Sequence, residues 1–228
     1  MIEPERPIVT LHFAQSLDGR IAARSGAARW ISGPEATRFA HELRAQSDVV
    51  IVGSGTALAD DPLLTVRHVS GPSPRRVVLD ARGRLPPSAK LVSDRAAPTL
   101  VVAAGPAVGS PLPDHVTRWE LPAGEGGLGV DLQPLLARLA QEGVKRVLVE
   151  GGRRVITSFL RAGLVDRLII CVAPIVIGGG GIEAVADLGA ERLDQAPRFV
   201  TRDVWRLGDD VLIELGGPPR VGDSPRGR

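Results

Sequence analysis

Apolar positions in this chain gather into short, dense runs separated by polar and glycine-rich stretches. Ile8–Ala14, Val49–Gly53, Arg76–Asp80, Thr99–Ala103, Arg146–Glu150, Leu168–Ala173 and Val211–Leu215 are rich in valine, isoleucine and leucine, the composition of β-strands. Several are apolar at nearly every position rather than at alternate ones, as strands covered on both faces are. Between them the period lengthens to that of a helix. Pro34–Gln46 follows Ser32 and Gly33, carries proline at its first position and sets Ala36, Phe39, Ala40 and Leu43 on one face. Leu132–Glu142 begins after Asp131, an N-cap residue, and stops at Gly143, while Arg153–Arg161 stops at Gly163. Strands alternating with helices predict an α/β fold, a mostly parallel central sheet flanked by helices. The end of the pattern differs, because Phe199–Leu215 predicts a C-terminal antiparallel hairpin turning near Gly208-Asp209-Asp210.

The stretches between these elements add little structure. Gly105–Gly129 is rich in glycine and proline but contains a short strand candidate, Val116–Leu121, so it reads as a loop and not a linker. Residues 216–228, GGPPRVGDSPRGR, have almost nothing to bury and are expected to form a disordered tail, leaving 1–215 as one domain. The 228 residues suffice to bury a core without staples. No uncharged apolar stretch reaches the roughly 18 residues of a membrane span, and MIEPERPIVT lacks the basic-then-apolar order of a signal peptide, so a cytoplasmic protein is expected.

Cysteine and charge narrow the chemistry. Cys171 is the only cysteine, which excludes an internal disulfide and a cysteine-based zinc cluster, and the four histidines show no metal spacing, so no metal is expected. Lysine and arginine total 28 against 26 acids, and only Lys90 and Lys145 are lysines. The cations are therefore arginines, whose planar fork suits phosphate and carboxylate. They are scattered among acids, and the chain has no tyrosine, so the basic, aromatic stripe of a nucleic-acid surface is missing. A small phosphorylated ligand fits better, and neither nucleic acid nor membrane is expected as a partner.

Several segments combine polar groups with glycine where ligands bind. Glu150-Gly151-Gly152 closes one strand immediately before a helix, where a phosphate can meet free N–H groups, although a plain tight turn has the same composition. Gly178–Gly181 lines a ligand or forms a flexible loop. Arg153 and Arg154 occupy the first helical turn, which disfavours cations; a nearby anion or solvent exposure would relieve the conflict. In Thr56–Arg67 the adjacent acids and proline make a turn capped by Asp61, or else a pocket wall in which Asp60 orients or protonates a substrate and Arg67 pairs with its phosphate. Ser16–Ala22 forms a polar turn, and Ser25–Ser32 a polar loop whose Trp30 stacks on a ring or fills the core. Arg44, late in its helix, faces the dipole end or reaches a ligand.

In that order, Ser16-Leu17-Asp18-Gly19-Arg20, Trp30-Ile31-Ser32, Leu43-Arg44-Ala45, the Thr56–Arg67 segment and Glu150-Gly151-Gly152 resemble the reductase domain of the riboflavin-biosynthesis pyrimidine deaminase/reductase family. Leu58-Ala59-Asp60-Asp61-Pro62 with Leu64-Thr65-Val66-Arg67 is the most specific stretch, and the resemblance spans about residues 7–215. It implies a dihydrofolate-reductase-like fold and NADPH-dependent reduction of the ribosyl group of a 5-amino-6-(5-phosphoribosylamino)uracil-type pyrimidine to a ribityl chain. Hydride would pass to the sugar C1′ in its open-chain imine form. By the same resemblance Ala14, Trp30, Thr56, Asp60, Ala81 and the segment Gly151, Gly152, Arg153, Arg154, Val155 and Ile156 contact NADPH. Ala28, Arg44, Leu64, Arg67 and Glu150 line the substrate side, Arg44 and Arg67 at its 5′-phosphate, with Asp60 and Glu150 the catalytic acids nearest the reacting carbon.

The chain also departs from the family pattern. Ala28 stands where a hydroxyl is common, Arg153-Arg154 replace small or neutral residues, and Ala81 follows Asp80 where serine or threonine is frequent. There is no His-x-Glu, and one cysteine cannot make Pro-Cys-x-x-Cys, so the deaminase half is absent and a stand-alone reductase is implied. Trp30 resembles the bacterial form, which reduces after deamination. Two alternatives stand beside this reading. One is a paralogue acting on the non-deaminated diaminopyrimidine or another pterin-like heterocycle; the other is a catalytically silent nucleotide-binding dimer. Retention of Asp60, Arg44, Arg67 and Glu150 argues against the silent form. The resemblance implies a homodimer, with the Leu168–Val172 strand or the terminal hairpin as the interface.

Overall fold

The computed structural model describes residues 6–28, 30–106, 109–124 and 129–218. Along the chain come β1 (Ile8–Ser16), β2 (Arg20–Ala22), α1 (Pro34–Ala45), β3 (Val49–Gly53), α2 (Ser54–Asp60), β4 (Arg75–Leu79), α3 (Lys90–Ser93) and β5 (Thr99–Ala104). Then follow β6 (Val116–Leu121), α4 (Leu132–Gln141), β7 (Arg146–Val149), α5 (Arg153–Arg161), β8 (Arg167–Ala173), β9 (Ile182–Glu183), β10 (Val200–Leu207) and β11 (Asp210–Gly216). Nine strands form one sheet in the order β10-β11-β8-β1-β7-β3-β4-β5-β6, and β2 pairs with β9 apart from it. From β8 through β6 every neighbouring pair is parallel. Strand β11 runs antiparallel to β8, and β10 antiparallel to β11, which is the expected hairpin.

The dense apolar runs are explained by two covered faces. Strand β3, VVIVG, is buried at every position, with Val49 and Ile51 facing one core and Val50 and Val52 the other. Helices α4 and α5 seal the first core with Leu135, Leu136, Leu139, Ile156 and Phe159. The second core takes Ala36 and Leu43 of α1 and Ala57 of α2. Crossovers β1–α1–β3 and β7–α5–β8 thus leave the sheet on opposite faces and in opposite directions. The carboxyl ends of β1, β7 and β3 flank the crevice that such a switch creates.

Some expectations change. The start of the Thr56–Arg67 segment is helical, since α2 follows β3 without a loop and turns Ala57 inward. The small β2/β9 pair and the four-residue α3 had no sequence signal. The glycine- and proline-rich 105–129 stretch contains β6 at the expected bounds. Strand β8 lies between β1 and β11 inside the sheet, so both its edges are paired, and the outer strand β10 exposes Val200 and Val204. Strand β11 extends to Gly216, and the rest of the expected tail, from residue 219, lies outside the described residues. Among the described residues no helix is long and apolar enough to cross a membrane.

Candidate active site

A cleft of about 500 Å³ opens at that crevice. Strand β1 contributes His12 and Ala14, β3 leads into Gly53 and then Thr56 and Asp60 on α2, and β7 leads into Glu150 and the first turn of α5. Ala28 and Arg44 close another side. Among the described residues no group of three or more histidine, cysteine or acidic side chains could hold a metal.

The principal charged contact in the cleft is an ion pair. Arg44, in the last turn of α1, places Nε 3.0 Å from both carboxylate oxygens of Glu150 and Nη2 2.8 Å from one of them. The side chains are only 14% and 11% exposed, so the pair is held in one geometry. Arg44 Nη1 also donates to the Thr65 carbonyl at 3.4 Å, and Arg67 Nη1 donates to Thr65 Oγ1 at 2.9 Å. Two guanidinium groups thereby converge on one residue. Partial burial and then the Arg44 charge lower the pKa of Arg67. Between them lies buried His41, whose Nδ1 accepts the Arg67 backbone N–H at 3.0 Å. Burial, then Arg44 and Arg67, push its pKa down to about 4, so the ring is neutral at neutral pH.

The two adjacent acids separate into different tasks. Asp60 lines the cleft. Asp61 takes the left-handed backbone, φ 40°, and turns away; its Oδ1 accepts the Lys90 backbone N–H at 2.8 Å, which lowers its pKa, and Oδ2 lies 3.2 Å from Lys90 Nζ. Leu64 also has positive φ, 53°, a strained setting for a bulky residue, and its side chain is buried in the core. Leu64 and Arg67 therefore flank the cleft without lining it.

Arg76 locks the segment. It is fully buried and donates to Thr99 Oγ1 at 2.9 Å, the Ala97 carbonyl at 2.7 Å and the Leu63 carbonyl at 3.3 Å, with Asp94 at 2.7 Å.

At the start of α5 the glycines are required by crowding. A Cβ on Gly151 would collide with Val155, and one on Gly53 would lie 2.8 Å from Val155 Cγ2. Gly152 donates its N–H to Thr56 Oγ1 at 3.0 Å. The helix has no side-chain N-cap and no acid in its first turn, which instead carries Arg153 and Arg154 at the cleft. Backbone donors with no acid in their own turn, plus two cations, suit the diphosphate of a dinucleotide cofactor. Val155 lines the cleft, whereas Ile156 is fully buried beneath it. Arg153 lies 3.8 Å from Glu183 of β9.

Two expected residues lie elsewhere. Trp30 is 79% exposed in a separate hollow beside His68, Pro174 and Asp210, away from the cleft lining. Ala81 follows β4 and packs on the first core; next to it buried Asp80 accepts the Leu85 N–H at 2.8 Å through Oδ2, while Oδ1 has no protein partner. Gly178–Gly181 also stays outside the cleft lining, and Asp18 accepts the N–H groups of Ile177 at 3.0 Å and Gly178 at 2.7 Å. Those bonds and one from Ser16 bring the Asp18 pKa down to about 2. The sequence pattern gives no sign of His12, His41 or Arg76, the first because it sits within an apolar run that reads as core.

Comparison with known proteins places this site in context. Residues 7–213 match the family model described as the RibD C-terminal domain. A 2,5-diamino-6-ribosylamino-4(3H)-pyrimidinone 5′-phosphate reductase of Methanothermobacter thermautotrophicus is 38% identical over 213 residues, 92% of this chain and 97% of that protein. A solved structure of Acinetobacter baumannii RibD superposes with a TM-score of 0.79 at 33% identity, over 94% of this chain but only 59% of that one. The Saccharomyces cerevisiae riboflavin biosynthesis reductase Rib7 superposes with a TM-score of 0.73 at 29% identity, over 93% of this chain and 90% of that one.

Proposed function

The chain belongs to the RibD C-terminal domain family, and on that premise we propose that it is an NADPH-dependent reductase of riboflavin biosynthesis. It converts the ribosyl side chain of a 5-amino-6-(5-phosphoribosylamino)uracil-type pyrimidine to the ribityl form. Membership carries a reductase activity that draws on a nicotinamide cofactor; the preference for NADPH is part of the proposal. The observation that carries the reading is the convergence, in one cleft, of Asp60, the Arg44–Glu150 pair and the uncapped start of α5.

A bound reduced nicotinamide supplies the hydride. The chain's own groups do the rest by holding and orienting. The free first-turn amides of α5 would hold the cofactor's diphosphate, approached across Gly151 and Gly152, and Arg153 and Arg154 would add positive charge there. Arg44 in the cleft and Arg67 at its flank take the 5′-phosphate of the substrate, and Glu150, fixed by Arg44, accepts from the sugar. Hydride adds to C1′ of the open-chain imine, the C1′=N π pair moves to nitrogen, and nitrogen takes up one proton from water ordered by Asp60.

A second reading is supported by the diaminopyrimidinone reductase that this chain covers almost end to end: the substrate retains its amino group. A rate assay with both pyrimidines and both NADPH and NADH separates the two. Turnover with a phosphoribosylaminopyrimidine and NADPH is expected, and none with either pyrimidine overturns the proposal. In the same assay Asp60→Asn should lower kcat about a hundredfold or more, a much larger effect than on cofactor affinity; a wild-type rate refutes its role.

A further inference from the structure

Helix α1 brings Arg44 to the cleft, and His41, one turn earlier on the same helix face, reaches the second arginine of the site. The His41 ring is only 2% exposed, and its Nδ1 accepts the Arg67 backbone N–H at 3.0 Å. A backbone N–H can only donate, so Nδ1 is the bare nitrogen and Nε2 carries the proton of the neutral ring. Arg44 Nη1 stands 3.4 Å from Nε2, and a guanidinium nitrogen also only donates. The two contacts therefore cannot both be hydrogen bonds, and the shorter one, to the Arg67 backbone, is the one made. The ring of His68 meets His41 edge-on, at 86° and 4.5 Å between centroids, which fixes the imidazole plane.

This tautomer shapes the pair of arginines. Glu150 occupies Nε and Nη2 of Arg44, so Nη1 is the part of that fork left to a ligand. Facing Nε2–H, Nη1 finds no acceptor in the ring and keeps its hydrogens for the Thr65 carbonyl at 3.4 Å and for a bound anion. Arg67 lies in a stretch without helix or strand, between the end of α2 at Asp60 and the start of β4 at Arg75. Its guanidinium donates to Thr65 Oγ1 within the same stretch, so the bond from His41 is what ties its backbone to α1. The surrounding charge keeps the lone pair available. Burial, then Arg44, Arg67 and His68, favour the neutral ring, and Glu150 opposes them.

We propose that His41 is a positioning residue for substrate binding: its Nδ1 lone pair ties the Arg67 backbone to α1 and so sets the spacing of the two guanidinium groups that receive the substrate's phosphate. The inference rests on the reading of the cleft as a site for a phosphoribosylaminopyrimidine. Two substitutions isolate the lone pair. His41→Leu fills the same buried space and offers no acceptor. His41→Asn places its amide oxygen where Nδ1 was.

The test is steady-state kinetics with the phosphorylated pyrimidine and its phosphate-free form, with cofactor affinity by nicotinamide fluorescence and thermal melting alongside. His41→Leu is expected to raise KM for the phosphorylated pyrimidine about tenfold, the worth of one hydrogen bond, and to move kcat far less. Preference for the phosphorylated over the phosphate-free form should shrink by the same factor, and competitive inhibition by inorganic phosphate should weaken in parallel. Cofactor affinity should hold steady, and His41→Asn should recover most of the loss. In an Arg67→Ala background His41→Leu should add little, because both changes act on the same contact. An unchanged preference for phosphate in His41→Leu overturns the proposal. So does an equal loss with both pyrimidines, which is the mark of a merely structural role, and so does full additivity with Arg67→Ala. Should His41→Leu fold poorly, His41→Gln, whose amide sits one carbon further out, takes its place with the same expected loss, and a wild-type preference there refutes the assignment. A wild type inactive on every pyrimidine refutes the underlying function instead, and this assignment falls with it.

Discussion

Replacing Arg76 by methionine tests whether the loop after α2 is held by a single buried guanidinium. Methionine keeps the stem that packs between strands but removes every donor. Of the partners, Asp94 is 25% exposed and can hydrate, and Thr99 Oγ1 still donates to the Leu91 carbonyl at 2.7 Å. The Ala97 carbonyl, bonded to Arg76 at 2.7 Å, and the Leu63 carbonyl at 3.3 Å lose a donor. Each orphaned acceptor costs about 1–3 kcal/mol, and the relief of burying a cation returns part of the total. The net loss is about 3 kcal/mol, which for a chain of this size lowers Tm by roughly 6–12 °C. Thermal denaturation followed by circular dichroism measures it. The segment from Leu63 to Arg67 should also slacken, raising KM for the pyrimidine several-fold while leaving cofactor affinity steady. A Tm drop under about 2 °C would mean that water replaces the guanidinium, and an unchanged KM would mean that the Leu63 contact does not steady the loop.

Three other outcomes follow from the same contacts. Arg44→Gln leaves the Glu150 carboxylate buried without its bidentate partner and should cut kcat/KM for the phosphorylated pyrimidine about a hundredfold; equal discrimination against a phosphate-free analogue in variant and wild type would refute the phosphate role. His41 is folded with a pKa of about 4 against an ordinary 6.5, so the unfolded chain binds its proton first as pH falls. Its contribution is full above the ordinary value and is lost on descending to about 4; His41→Asn should flatten melting temperature against pH across that interval, and a parallel curve would disprove it. Burial, reinforced by the Asp210 charge, pushes the Cys171 thiol up to about 12, so thiol reagents at about pH 8 should react only after denaturation, and rapid labelling of native protein would contradict this.

Much of the fold was legible because burial on two faces leaves a local trace. VVIVG at β3 and the Pro34 start of α1 declare themselves within a few residues. Helix α2 did not, since SGTALAD is seven residues long with a glycine inside, and two- or three-residue strands such as β9 and β2 have no room for a period. Asp60, Arg44, Glu150 and the paired glycines were legible through the resemblance, and the structure brings them to one cleft. Trp30 shows the opposite case. Its loop is directed by distant contacts, including the Gly33 N–H donated to Asp210 at 2.7 Å, and no local pattern reports them. Arg76 reads as a surface arginine at a strand edge until the carbonyls of Ala97 and Leu63, from separate loops, close over it.

The place of β7 in the sheet has a consequence for how the chain is made. Strand β7 pairs with β1 on one side and β3 on the other, so the middle of the sheet is filled only after residue 149 has been synthesised. Until then a nascent chain holds two strands with unsatisfied inner edges around an open slot. Closing it joins segments more than a hundred residues apart in sequence, a slow step by its topology and one during which free edges invite pairing with other chains. Translation speed through the stretch before Arg146, and chaperones that shield strand edges, should therefore govern the yield of folded protein more than its final stability does.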